Sequence, residues 1–285
     1  MSQITRIRLS RIIAAAFLAI VVPAFAAHGD LTVTPTRVVF GDRDRAAQVY
    51  LVNRGETRAT FRIEFVQMRM DENGQMSEID TPNDKEHFAD ALVRHSPRQV
   101  ELDPGQGQTI RLLLRKPEDL AAGEYRSHLL FYALPDASAG ADVERERSRQ
   151  DKGFSVSIQA IYRVGIPVIV RNGDLPVRFS MQDLRLTPAT QPGDKPRLGL
   201  QVRREGARSV YGDLDVYFQP KGGERILLKH IKDFVLYTSS DVRKVDLPVD
   251  VPAGLRLTAG TVHAVYSESL DGTPNILAEQ RIELP

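Results

Sequence analysis

The 285-residue sequence contains no cysteine. That absence excludes a disulfide framework and any thiolate metal site. Helical periodicity is almost missing, and no glycine-rich loop opens a helical pattern, so nothing is set up to cradle phosphate. The six histidines, His28, His87, His95, His128, His230 and His263, form no HxH or HExxH pair. None lies near a GxSxG-type nucleophile. His128 falls in an apolar strand pattern and reads as a hydrogen-bonded structural histidine rather than a ligand. Glu144, Glu146 and the acids between Asp71 and Asp80 read as solvated loop charges rather than a glycosidase pair. Charge of one sign is lacking too: 38 Lys and Arg face 37 Asp and Glu, for a formal net charge of +1. A nucleic-acid binder would show a strongly basic face. These absences argue against an enzyme, a metal protein and a cofactor carrier.

What is present begins with an address. Arg6, Arg8 and Arg11 form a basic start, Ile12–Val22 is an apolar stretch, and Ala24-Phe25-Ala26 is a small-x-small cleavage site. Residues 1–26 therefore read as a secretory signal peptide. The apolar stretch is shorter than the ~20 residues of a membrane span. No later segment is long and apolar enough either, so no membrane insertion is expected. Cleavage would remove three arginines and no acids, which takes the formal charge to −2. An exported chain without disulfides depends on core burial. The remaining ~260 residues suit two domains of ordinary size.

Short alternating apolar runs bounded by Gly, Pro, Asn and Asp recur throughout, the pattern of an all-β sandwich. In the first half the runs are Leu31–Phe40, Ala46–Asn53, Thr60–Arg69, Arg98–Leu102, Thr109–Arg115, Tyr125–Leu134 and Phe154–Val170. In the second they are Val177–Asp183, Arg197–Arg204, Leu214–Phe218, Phe234–Tyr237, Arg243–Val249, Val262–Ser267 and Ile276–Ile282. Asn53-Arg54-Gly55, Asp71-Glu72-Asn73-Gly74 and Asp103-Pro104-Gly105 are turns by their chemistry. Arg171-Asn172-Gly173-Asp174 marks the best boundary, giving domains at 27–171 and 172–285. Pro135–Lys152 is polar and without a periodic face, and reads as a solvated loop.

Phe154–Val170 reads FSVSIQAIYRVGIPVIV. In a strand, Phe154, Val156, Ile158, Ala160 and Tyr162 share one face. Ser155, Ser157, Gln159 and Arg163 take the other, with Ile161 the exception. Such a ribbon can fill its own core, as any antiparallel sandwich strand does. It can also lend its face to another protein as an added strand.

Several stretches, in their order and spacing, resemble the periplasmic chaperones of chaperone–usher pilus assembly. They are LTVTPTRVVF and AAQVYLVNRG, then Ser96-Pro97-Arg98-Gln99 with LDPGQGQTIRLLLRKP, then GEYRSHLLF, the ribbon itself, and GARSVYGDL in the second half. GEYRSHLLF and GARSVYGDL look closer to an archaic-like branch than to the better-studied pilus chaperones. The Pro-Pro pair familiar in the family is reduced to Ser96-Pro97.

The resemblance implies two immunoglobulin-like sandwiches set in an L around a cleft. It also implies donor-strand complementation, in which the ribbon completes an unfinished pilus subunit until an outer-membrane usher takes it for fibre assembly. Phe154, Val156, Ile158 and the smaller Ala160 would be the donor side chains. Arg37 and Arg163 would grip the subunit's terminal carboxylate, where the family commonly has Lys in place of Arg163, and Arg126 is the alternative in the archaic-like branch. The implied location is the periplasm, and self-association of the free chain is a further expectation. The competing reading is an exported immunoglobulin-like adhesin or pilus subunit. Such subunits generally have one incomplete domain with an N-terminal donor extension, whereas this chain has two full strand sets.

Overall fold

A computed structural model of the chain describes residues 31–135, 162–189, 191, 193–270 and 273–285. Regular structure among them is entirely strand. The first half runs β1 (Leu31–Thr34), β2 (Val38–Phe40), β3 (Ala46–Asn53), β4 (Ala59–Val66), β5 (Met68–Met70), β6 (Met76–Glu78), β7 (Val93–Ser96), β8 (Gln99–Leu102), β9 (Gly107–Leu114), β10 (Gly123–Ala133) and β11 (Arg163–Asn172). One sheet has the order β1-β3-β9-β7, and a second the order β2-β11-β10-β4-β8. The second half runs β12 (Val177–Thr187), β13 (Arg197–Gly206), β14 (Val210–Pro220), β15 (Ile226–Leu236), β16 (Val242–Pro248), β17 (Gly260–Leu270) and β18 (Thr273–Leu284). Its sheets are β12-β13-β16 and β15-β14-β17-β18.

Period-two patterning explains the layers. In β9, Ile110, Leu112 and Leu114 are buried while Arg111 and Leu113 face out. In β14, Val210, Leu214, Val216 and Phe218 are buried on one face. The first sandwich closes over a core that includes Phe40, Leu51, Phe61, Ile63, Leu129 and Phe131. The second closes over Leu200, Val202, Phe218, Leu236, Val262 and Tyr266. Turn chemistry seats the connections. Asn53 donates through Nδ2 to the Thr57 and Leu102 carbonyls at 2.8 and 3.0 Å, and its Oδ1 accepts from the Gly55 N–H. Asp71 Oδ1 accepts from the Asn73 and Gln75 N–H groups, and Gly74 turns at a φ of 84°.

Three local readings change. The opening run expected over Leu31–Phe40 is two strands. β1 pairs with β3 and β2 pairs with β11, so the chain crosses between sheets at Pro35. Both Thr34-Pro35 and Ser96-Pro97 are cis. β7 shows no alternation in sequence because Val93 is its one buried apolar residue. β15 is far longer than Phe234–Tyr237. Register shifts against β14 break its alternation, so Lys229, His230 and Lys232 interrupt the apolar pattern.

The two halves share packing. Met70 and Ile169 belong to the second core, and Val39 packs against it. The β5–β6 turn bonds to β16, with the Lys244 N–H donating to the Glu72 carbonyl at 2.6 Å and Lys244 Nζ pairing with the Glu72 carboxylate. Glu124, 2% exposed, accepts from Arg171 Nε and from the Ser209 N–H, both at 3.1 Å. Lys85 pairs with Asp241, which also meets buried Arg204 at 3.1 Å.

Candidate functional site

β11 is bonded to β10 along its whole length, from Arg163 opposite Tyr132 to Asn172 opposite Gly123. On its other side β2 covers Val168, Ile169 and Val170 alone. Among the described residues, no strand pairs with Arg163–Pro167 on that side. The direction of the free groups follows from chemistry. Pro167 has no N–H, so it suits a position facing away from its neighbour. Arg126, opposite Ile169, gives its N–H to the His87 carbonyl and not to β11. Alternation along an antiparallel pair then turns the N–H and C=O groups of Arg163 and Gly165, and the Pro167 carbonyl, outward. This edge is an open template for a further strand.

The side chains of β11 divide cleanly. Ile166, Val168 and Val170 are sealed in the first core, and Val164 packs against it. Tyr162 continues that face upstream and is 65% exposed. The apolar face thus runs out of its own sandwich at the residue before β11. Phe154, Val156, Ile158 and Ala160, expected to extend the same face, lie outside the described residues, as do Glu144 and Glu146.

The opposite face of β11 looks onto a cavity of about 410 Å³ between the halves. Arg163, Gly165 and Pro167 form its floor with His128 and Leu130 of β10. Met68, Met70 and Met76 wall one side, and Tyr237 and Arg243 the other.

Four arginines surround this region. Arg37 lies one residue before β2, abreast of Pro167, with its guanidinium 3.6 Å above the Tyr211 ring. Arg126 is 7% exposed and lies 3.9 Å above the Tyr237 ring. Its Nε and Nη1 find no hydrogen-bond partner among the described residues. Burial holds its pKa below the ordinary value, against the opposing pull of Tyr237, Glu124 and Glu86. Arg243 stacks 4.1 Å over Phe234 and donates to the Val235 carbonyl at 2.6 Å. Burial raises the Tyr237 phenol and the charge of Glu124 adds to that, while the charges of Arg126, Arg37 and Arg243 draw it down. Arg163 is exposed, 5.2 Å over Tyr132, and about 13 Å along the strand from the level of Arg37 at the usual rise per residue. The structure therefore gathers Arg37 and Arg126 at the domain junction and sets Arg163 at the far end of the open edge. Arg243 was not singled out in sequence. An arginine near the start of a polar-looking strand carries no signal until the sheets are folded.

His128 differs from expectation: its Nδ1 has no hydrogen-bond partner among the described residues. The ring packs edge-on to Tyr237 at 6.1 Å between centroids. Burial, then the charge of Arg126, push its pKa down to about 3. An unfolded histidine titrates near 6.5. Between those values the unfolded chain binds the extra proton, so stability falls as pH drops from 6.5 toward 3, by up to about 1.4 kcal/mol per pH unit. Urea unfolding at pH 6.5 and 4.5 should show the parent chain losing about 2 kcal/mol more than His128→Phe. Equal losses would remove His128 as the source.

No protein-family model matches the sequence, and no curated protein matches it. Solved structures do. The chain is similar to the Pseudomonas aeruginosa CupB2 chaperone at 13% identity, covering 89% of this chain and 100% of that one, with a TM-score of 0.42. It is similar to the E. coli chaperone DraB at 15% identity, covering 90% and 97%, with a TM-score of 0.40. A third similarity is to the CsuC–CsuE chaperone–tip adhesion subunit pre-assembly complex from archaic chaperone–usher Csu pili of Acinetobacter baumannii, at 13% identity over 86% and 96% of the chains, with a TM-score of 0.41.

Proposed function

We propose that this chain is an exported, non-catalytic chaperone of the chaperone–usher type. It binds an unfinished pilus subunit, completes it with a donated strand, and hands it to an outer-membrane usher. In this reading residues 1–26 direct export to the periplasm, and the halves 27–171 and 172–285 act as the two arms of the cleft. Phe154, Val156, Ile158 and Ala160 occupy pockets in the subunit. Arg37, Arg126 and Arg163 supply positive charge for its terminal carboxylate.

The observation that carries this reading is the free edge of β11 over Arg163–Pro167. Five consecutive residues there lack a ladder partner on the side away from β10 among those described, in the strand whose apolar face emerges from its core at Tyr162. An added strand would take main-chain bonds from the edge. The donated face would supply roughly 1.5–3 kcal/mol for each large side chain buried. Such a ribbon also answers the subunit's need, because an incomplete sandwich exposes core and unpaired edges.

Co-expression with a pilus subunit tests the reading. The parent chain should co-purify with the subunit at one to one. Ile158→Asp should lower capture at least tenfold with an unchanged melting temperature, since an unpaired carboxylate would enter an apolar pocket. Full capture by Ile158→Asp would remove the donor assignment.

A further inference from the structure

Sulfur chemistry in this chain rests on methionine alone, because there is no cysteine. Of the five methionines, Met68, Met70 and Met76 fall in one short hairpin, and Met1 and Met181 lie elsewhere. Met70 is the cross-strand partner of Met76, and Met68 is two residues from Met70, so the three share a face. That face lines the cavity of about 410 Å³ between the halves. Access to the thioethers is graded. Met70 is 2% exposed in the second core, Met68 is half-buried, and Met76 is 37% exposed. Arg163, Arg243, Glu78 and Asp233 line the same space, which admits water and the small solutes it carries.

The hairpin has little sheet to hold it. β5 and β6 pair with each other and with no further strand among the described residues. A two-stranded hairpin is marginal in water by itself. Arg69 ties the base of the hairpin to Glu86 of the first half. The tip depends on the second half. Met70 enters the second core, the Lys244 N–H donates to the Glu72 carbonyl, and Lys244 Nζ pairs with the Glu72 carboxylate. Gly74 lies against the Arg243 guanidinium, where any side chain would collide. Met70 and Met76 form the last strand pair before this tip. Their apolar layer is therefore the one on which the docking of the tip turns.

We propose that Met76 is a site of reversible oxidation, and that its sulfoxide releases the hairpin tip from the second half. The oxidant is a peroxide. Its O–O bond breaks, an S–O bond forms, the sulfur gives up two electrons, and the second oxygen leaves as water. The product is a polar, chiral side chain where an apolar one had faced Met70, a change that disrupts methionine-rich contacts. The new oxygen seeks donors in solvent, and the layer that seats the tip is lost. Sulfoxide reductases restore the thioether with electrons from outside the chain, which has no thiol of its own. This concerns the joint between the halves and stands independently of the chaperone reading.

The test treats the chain from residue 27 onward with hydrogen peroxide and follows each methionine by peptide mass spectrometry. Met76 should oxidise first, with Met70 and half-buried Met181 at least tenfold slower. Hydrogen exchange reads the docking, through the Lys244 N–H that bonds to Glu72. Once Met76 is oxidised, its protection should fall at least tenfold while amides of β14 stay protected. Treatment with sulfoxide reductases of both stereospecificities should restore it. Met76→Leu should keep protection under peroxide, and Met181→Leu should lose it as the parent does. Met76→Gln, a standing polar replacement, should lose it without peroxide. Met181 oxidising as fast as Met76 overturns the site. Unchanged Lys244 protection at full Met76 oxidation, or equal loss in Met76→Leu, overturns the release.

Discussion

Replacing Arg126 with methionine is expected to stabilise the free chain by about 1–4 kcal/mol and to cost at least tenfold in partner capture. The two effects have one cause. Arg126 is a cation 7% exposed, with Nε and Nη1 unpartnered among the described residues. Removing a guanidinium from water without meeting all its donors is unfavourable. Its stacking on Tyr237 at 3.9 Å offsets roughly 0.5–2 kcal/mol of that. Methionine fills a similar volume and leaves no donor unmet. In the proposed reading, the charge that Arg126 contributes at the junction draws the subunit's terminal carboxylate, which would explain why so costly a residue is kept. Arg126→Lys should retain part of the capture, because it keeps a charge but loses the planar fork. Chemical denaturation and co-purification decide the matter together. If Arg126→Met lowers stability by more than about 1 kcal/mol, the guanidinium is a structural member of the junction and the anchor lies elsewhere. The variant should also relieve His128, whose depressed pKa owes its second cause to Arg126.

Glu124→Ala should produce the largest loss of stability, about 3–5 kcal/mol. The carboxylate is 2% exposed and ties three elements together. It sits on β10, accepts from Arg171 of β11, and accepts from the Ser209 N–H that leads into β14. Alanine would leave the Ser209 N–H buried and unpaired, and Arg171, at 27% exposure, without its partner. For a chain of this size each kcal/mol is worth about 2–4 °C, so a melting-temperature drop on the order of 10 °C is expected. Because the bond from the Ser209 N–H crosses between halves, the calorimetric transition should also broaden or split. Glu124→Gln keeps an acceptor and should cost less than half as much. A drop under 2 °C for the alanine variant would show that the junction rests on Met70 and Ile169 packing instead.

Much of the fold was legible because burial in sandwiches leaves a period of two. Ala46–Asn53 was readable to the residue, since Val49 and Leu51 alternate with Gln48 and Tyr50. The Asp71–Gly74 hairpin was readable because its residues are those that such a turn demands. Elsewhere the signal was absent for physical reasons. β7 buries one apolar side chain, and β15 changes face at its bulges. The site was less legible than the fold. Arg37 and Arg126 could be named in sequence, but the tyrosines they stack on, Tyr211 and Tyr237, come from the other half. Glu72 read as a solvated loop acid, yet it pairs with Lys244 across the junction. Cross-domain partners such as Arg243 have no local pattern, because they exist only once two separate sheets meet.

The brevity of β2 has a mechanical meaning. Its three residues close off the β11 edge at Val168, and Arg37 stands at that closure. In the proposed reading, a polypeptide added along this edge would meet a wall whose face carries positive charge. Its terminus could advance no further, so a tripeptide would act as a ruler. It would convert a sticky, sequence-tolerant contact into a single alignment, counted from the visitor's final residue.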